Sequence, residues 1–368
     1  MRKIKCIITV VLFSLFLFSV SALCYFAPAQ KYSNSERREL TQLPTLNFQT
    51  INSGEFMKSF ENYTADQFPF RDRFRSVKAM FSSFVLNKAE NNGIVFVGGH
   101  ISKIDKEENE YMMNYAAEVF RDVYEKNIKG KNANLYFSVV PDKNYYLAGK
   151  YLYPSLNYEQ FIEKMKNKMD YMTYIDITGH LSEKNYYKTD THWKQETISD
   201  VAQMLAHSMG NDVGADYSVK TLDNPFKGVY YGQGALPVKP DTIKYVTNDT
   251  LENCTVTYYD TGMPEKREMY NMEKAYGKDP YEMFLSGVAP LVVIDNPNAK
   301  TNRELVMFRD SFGSSLAPLM VEGYSKVTLV DLRYMSGSFL EKFVNFDNAD
   351  VLFIYSSTIL NDSLALKK

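Results

Sequence analysis

Cysteine is nearly absent, with three in 368 residues. Cys6 and Cys24 fall in an apolar N-terminal run, which leaves Cys254 alone in the rest of the chain. An intramolecular disulfide framework and a cysteine-rich zinc site are therefore excluded there. Histidine is also scarce. His100, His180, His192 and His207 are scattered without ligand spacing, so no structural metal is expected. Excess charge is missing as well: the net charge is -2 and no long basic run occurs, which argues against nucleic acid as a partner. There is no internal repeat and no low-complexity tract. Only one stretch is long and apolar enough to cross a bilayer, and there is a single tryptophan.

That stretch runs from Cys6 to about Ala27 behind Arg2, Lys3 and Lys5. It is somewhat long for the apolar part of a cleavable signal. The reading is an uncleaved anchor over residues 1–30, with its basic end in the cytoplasm and the rest extracytoplasmic. Cleavage at Ala27-Pro28-Ala29 would instead release a secreted form. The remaining composition, 45% hydrophobic and 23% charged, is that of a globular protein with ample sequence for a core.

Residues 31–92 read as a polar stalk followed by helices. One helix carries Phe56, Phe60 and Tyr63. The next, opened by Pro69, carries Phe70, Phe74, Val77, Phe81 and Phe84 at spacings of three and four. Such a stripe either docks a partner or covers the main domain.

From residue 93 to 368 short apolar runs alternate with amphipathic patterns. Strands are expected at Ile94–Val97, Leu135–Val140, Thr173–Ile177, Leu305–Phe308, Val327–Val330 and Val351–Tyr355. Helices are expected at 108–128, 157–169, near Ile198–Leu205, from Ser314, and at 338–345. This order implies a three-layer α/β/α domain around a mostly parallel sheet. Residues 211–300 lack a strong period and read as an insertion with hairpins.

Ligands in such sheets bind beyond the carboxyl ends of the strands. Lys143, Ser311 and Arg333 fall there. A serine between strand and helix projects its hydroxyl at the sheet edge, and the N–H groups of the helix start can hold an oxyanion. Gly313 is expected to let the backbone turn closely there. Asp190 and His192 are one residue apart, so an extended segment would place both on one side. Together with Ser311 they would supply a nucleophile, its base and the group that orients the base. Trp193 beside them forms either a pocket wall or core.

Thr189-Asp190-Thr191-His192-Trp193 with Asp310-Ser311-Phe312 resembles the DHHW family, grouped with alginate O-acetylation proteins among SGNH-hydrolase-like folds. Asp66-Gln67-Phe68-Pro69-Phe70-Arg71-Asp72, Val140-Pro141-Asp142-Lys143 and Asp331-Leu332-Arg333-Tyr334 also look like its blocks, so the resemblance spans about residue 60 to the C-terminus. It implies a circularly permuted motif order, with Asp190 and His192 before the nucleophile Ser311. It also implies serine-dependent O-acetyl transfer or acetyl-ester hydrolysis on envelope or secreted polysaccharide. No cofactor is implied; acetyl would come from an acyl ester or a membrane-bound acyltransferase partner. Lys143, Arg333, Gly313 and Trp193 are candidates for the oxyanion or substrate. Two positions depart from the pattern: Arg309 replaces the glycine usual before Asp-Ser, and Leu285-Ser286-Gly287-Val288 lacks an asparagine donor. These departures keep open a non-catalytic carbohydrate-binding or assembly protein of the envelope on the same fold.

Overall fold

The structure is a computed structural model that describes residues 2–88, 90–91, 93–214 and 216–368. The chain divides into two compact units, Met1–Asn92 with Tyr231–Val238, and Gly93–Tyr230 with Lys239–Lys368.

The first unit begins with α1 (Arg2–Phe26), a helix long and apolar enough to cross a membrane, none of it buried. Residues 31–54, read as a stalk, fold back instead. Tyr32–Ser33 pairs with Arg38–Glu39. The Asp66 carboxylate gathers the Arg38 guanidinium at 2.6 and 2.9 Å and the Thr41 amide at 2.9 Å.

The second unit is built on eight strands. In chain order they are β1 (Asn134–Val140), β2 (Thr173–Tyr174), β3 (Thr255–Tyr258), β4 (Glu265–Arg267), β5 (Leu291–Asp295), β6 (Glu304–Arg309), β7 (Lys326–Val330) and β8 (Ala349–Ser356). Across the sheet the order is β4-β3-β5-β7-β6-β8-β1-β2. The run from β7 to β2 is all parallel, and β5, β3 and β4 extend it antiparallel. Residues 255–258, 265–267 and 291–295, all within the expected insertion, thus complete one edge of the central sheet. Ile94–Val97 does not join this sheet; it forms a hairpin with His100–Lys103.

Alternation along one strand explains the layers. Leu305 and Met307 of β6 face a cluster holding Val201 and Leu205 of α4 (Ser199–Ser208) and Leu316 and Met320 of α5 (Ser311–Met320). Val306 and Phe308 face the opposite cluster, with Val119 and Phe120 of α2 (Glu110–Val123) and Phe161 and Met165 of α3 (Tyr158–Lys168). A strand buried on both faces must be apolar throughout, which is why β6, β7 and β8 read as unbroken hydrophobic runs. Each large side chain so buried stabilises the fold by about 1.5–3 kcal/mol.

The topology also selects the functional edge. β6 connects through α5 on one face to β7, and β7 connects through a turn on the other face to β8, on the far side of β6. The strand order therefore reverses at β6, at whose carboxyl end Ser311 begins α5, and such reversals are where open parallel sheets bind ligands.

Candidate active site

Asp310 caps α5. Its Oδ1 accepts the Phe312 amide at 3.0 Å and its Oδ2 accepts the Ser356 amide from β8 at 2.7 Å. Both carboxylate oxygens are thus spent on backbone, which fixes the first turn and the place of Ser311. The same cap narrows the oxyanion expectation. The Phe312 N–H is taken by Asp310 Oδ1 and the Gly313 N–H by the Asp310 carbonyl at 3.1 Å. Of these first three amides, that of Ser311 has no partner among the described residues.

The segment carrying Asp190 and His192 is bent and not extended. Tyr186 bridges Trp193, and the Tyr187 amide donates to the His192 carbonyl at 3.0 Å, so residues 187–192 form a closed loop. Inside it Asp190 Oδ1 accepts the His192 amide at 3.1 Å and meets His192 Nδ1 at 2.6 Å. His192 Nε2 then lies 2.7 Å from Ser311 Oγ, 119 residues later in the chain. The three groups that the sequence singled out form one continuous hydrogen-bonded line.

Burial alone would push the Asp190 carboxyl up. His192 beside it, with the Val229 amide at 2.8 Å on Oδ2, outweighs burial and holds it well below the usual carboxylate range. A permanently ionised Asp190 keeps the proton of His192 on Nδ1 and leaves Nε2 as acceptor for the serine hydroxyl. The approach of the 228–229 backbone requires glycine at 228, because a Cβ there would collide with the Asp190 side chain and the Thr189 carbonyl.

Lys143 is wholly buried, and its ammonium donates to the carbonyls of Tyr187 (3.1 Å), Lys188 (3.3 Å) and Asp190 (2.8 Å). All three N–H bonds are committed, so none is left for an oxyanion or substrate as expected from its strand-end position. Its place is under the loop that carries Asp190 and His192. Trp193 is also fully buried and donates its indole N–H to Ser315 Oγ at 2.8 Å, which makes it core behind the site and not a pocket wall. Arg333 keeps a partly exposed head but is bound twice to Asp331, at 2.9 and 2.6 Å.

Gly313 has a different reason from the one expected. It is helical and needs no special backbone. A Cβ there would stand 2.5 Å from the Cβ of Arg309, the residue that departs from the family pattern. Arg309 passes beneath the first turn of α5 into the core, 1% exposed, with Asp331 3.4 Å from its guanidinium. Gly313→Ala is expected to cost about 1–3 kcal/mol by overpacking, because the opposing atom is a Cβ fixed to the backbone. A thermal-unfolding midpoint equal to that of the parent would contradict this.

One neighbour of the site escapes the sequence. Tyr281 lies on His192 face to face, ring centroids 3.8 Å apart and planes within 10°. Its hydroxyl meets Ser315 Oγ at 2.8 Å, the hydroxyl that also takes the Trp193 proton. The available signal was Asp279-Pro280, a helix-start pair that positions Tyr281 at a turn but gives no hint of its neighbour. Tyr281→Ala is expected to lower turnover by about 10- to 100-fold by freeing the imidazole, whereas Tyr281→Phe keeps the stack and stays within a few-fold. Equal losses in both variants would assign the effect to the hydroxyl instead.

The segment that lacks the asparagine, already singled out in the sequence, is strained. Leu285, Ser286 and Gly287 all have left-handed backbone, with φ of 50°, 56° and 73°. This costs of order 1–3 kcal/mol for each non-glycine residue. Because β5 runs antiparallel to β7 and Leu291 pairs with Val330, this strained turn lies at the same end of the sheet as Ser311.

No protein-family model and no curated protein sequence matches the chain. Solved structures do. A DHHW family protein from Eubacterium siraeum aligns with 76% of this chain and 98% of its own at a TM-score of 0.57 and 24% identity. Bacillus cereus PatB1, solved with a sulfonyl adduct, aligns over 75% and 100% at a TM-score of 0.58 and 19% identity. This chain has their SGNH-hydrolase-like fold. The O-acetyltransferase domain of Pseudomonas putida AlgJ aligns over 73% and 92% at a TM-score of 0.45 and 12% identity.

Proposed function

We propose that the chain is a serine-dependent O-acetyltransferase or acetylesterase that acts outside the cytoplasm on envelope or secreted polysaccharide. The observation that carries this reading is the line Asp190–His192–Ser311, closed at 2.6 and 2.7 Å at the reversal of strand order. Ser311 Oγ attacks the acetyl carbonyl while His192 Nε2 takes its proton. The carbonyl oxygen becomes an oxyanion facing the Ser311 amide. As the tetrahedral species collapses, His192 returns the proton to the departing alkoxide and acetyl remains on Ser311. A sugar hydroxyl, or water, then repeats the sequence in reverse and carries the acetyl group away.

The shared fold supports the reading, as does the sulfonyl adduct of PatB1, since sulfonyl groups are captured by activated nucleophiles. Arg309, one of the two departures that favoured a non-catalytic protein, points into the core and leaves Ser311 Oγ on His192. The donor would be an acyl ester or a membrane-bound acyltransferase partner, and α1 is compatible with a chain held at the membrane.

The test is covalent. The full chain would be treated with an aryl sulfonyl fluoride and, separately, with a chromogenic acetate ester, then mapped by mass spectrometry. A sulfonyl or acetyl mass on Ser311, with release of chromophore, is expected. Folded protein that takes neither group would move the assignment to carbohydrate binding without turnover.

A further inference from the structure

We propose that the first unit carries a membrane-surface element: the aromatic stripe of residues 70–84 lies in the interface of the bilayer that α1 enters, against anionic lipid. The stripe is Phe70, Phe74, Val77, Phe81 and Phe84 on the helix Arg71–Met80 and its continuation to Val85. Every one of the five is more than half exposed, and Val85 and Leu86 extend the patch. A run of apolar side chains this long and this exposed, in which Phe74 meets Phe68 edge-on at 5.6 Å, marks an interaction surface.

The identity of the occupant follows from where the chain leaves α1. Only Ala27, Pro28 and Ala29 separate Phe26 from Gln30, a reach of at most about 14 Å. Gln30 is then stapled to Gln67, the residue that ends the preceding helix. Its amide donates to Gln67 Oε1 at 2.8 Å and its carbonyl accepts Gln67 Nε2 at 2.9 Å. Gln42 Nε2 reaches the same carbonyl at 2.9 Å. The far side of the aromatic helix is fixed too, by Arg71 and Arg75 on Glu36. A span through α1 therefore holds the start of the stripe within a few residues of the lipid headgroups.

Two further features fit lipid. Phe70, which opens the helix, has a left-handed backbone with φ of 58°, a costly shape for a bulky residue, and it is exposed. Arg73, Lys78 and Lys88 are exposed along the same segment, an excess of positive charge beside an apolar face. Basic amphipathic helices of this kind lie flat with their apolar side about 5–10 Å below the surface.

Phe81→Trp in the full chain tests this. The chain would be reconstituted in nanodiscs of phosphatidylcholine and phosphatidylglycerol, with or without bromine on the acyl chains. Trp193, fully buried in the other unit, supplies a constant background in the parent. The emission added by Phe81→Trp is expected to fall by about half in brominated discs while aqueous acrylamide has little effect. Quenching by acrylamide alone would place the stripe in water, and quenching by neither would place it under protein; each overturns the proposal. A chain that does not remain with the discs overturns it as well. None of these outcomes touches the role given to Ser311.

Discussion

Ser311→Ala in the folded chain is expected to lower acetyl-ester turnover by about 10⁴-fold or more, which corresponds to roughly 5 kcal/mol of lost transition-state stabilisation. The size follows from the division of labour. Without Oγ no acetyl-enzyme forms, and what remains is the oxyanion-facing Ser311 amide and whatever holds the ester. His192→Ala should cost a similar factor, since Oγ then has no acceptor for its proton at 2.7 Å. The combination is the sharper prediction. If the two act as a unit, Ser311→Ala with His192→Ala falls no further than either alone. Losses that multiply would show independent roles and would falsify the shared mechanism. Asp190→Asn belongs to the same series, because an amide in place of the carboxylate removes the charge and favours the other imidazole tautomer.

The parallel sheet was legible in the sequence because its strands are buried on both faces. Leu305–Phe308, Val327–Val330 and Val351–Tyr355 could be nothing else at that length and spacing. Thr173–Ile177 was less so. At the sheet edge only Thr173 and Tyr174 pair, and the chain turns away after them. The helix expected from Ser314 begins at Ser311, since the Asp310 side chain caps it three residues earlier. Within the site, residue type and strand-end position pointed to Ser311 and Lys143 alike, yet direction separated them. Ser311 opens a helix with its hydroxyl on His192, whereas Lys143 turns inward to three carbonyls. A sequence records that a charge follows a strand, but not whether the charge faces solvent. Tyr281 was illegible for another reason, as its stack on His192 joins residues 89 positions apart through tertiary structure only.

Lys143→Met is the second large effect. It preserves most of the buried volume and removes the ammonium. The Lys188 carbonyl keeps a partner, the Ile101 amide at 2.8 Å, but the carbonyls of Tyr187 and Asp190 lose the donor seen here. Two buried acceptors left unpaired cost about 2–4 kcal/mol, read as a lower urea midpoint. The loop beneath His192 loosens with them, and displacement of the imidazole by even 1 Å lowers turnover by about 100-fold. Lys143→Arg should not restore it, because a planar guanidinium cannot meet three converging carbonyls as a tetrahedral ammonium does. The pH dependence separates positioning from mere stability. Burial lowers Lys143 to about 8 from 10.5, against the opposing pull of Asp142, Asp190 and Asp241 and with repulsion from Lys194. Between those values the unfolded chain binds the proton and the folded chain does not, so this group makes the fold more stable as pH rises from about 8 to 10.5. Over the same rise the neutral amine offers two hydrogens to three carbonyls, and turnover should fall. Stability and activity therefore move in opposite directions on the alkaline side, and both trends should vanish in Lys143→Met. An alkaline fall in turnover that persists unchanged in that variant would assign it to another group and leave Lys143 a structural residue.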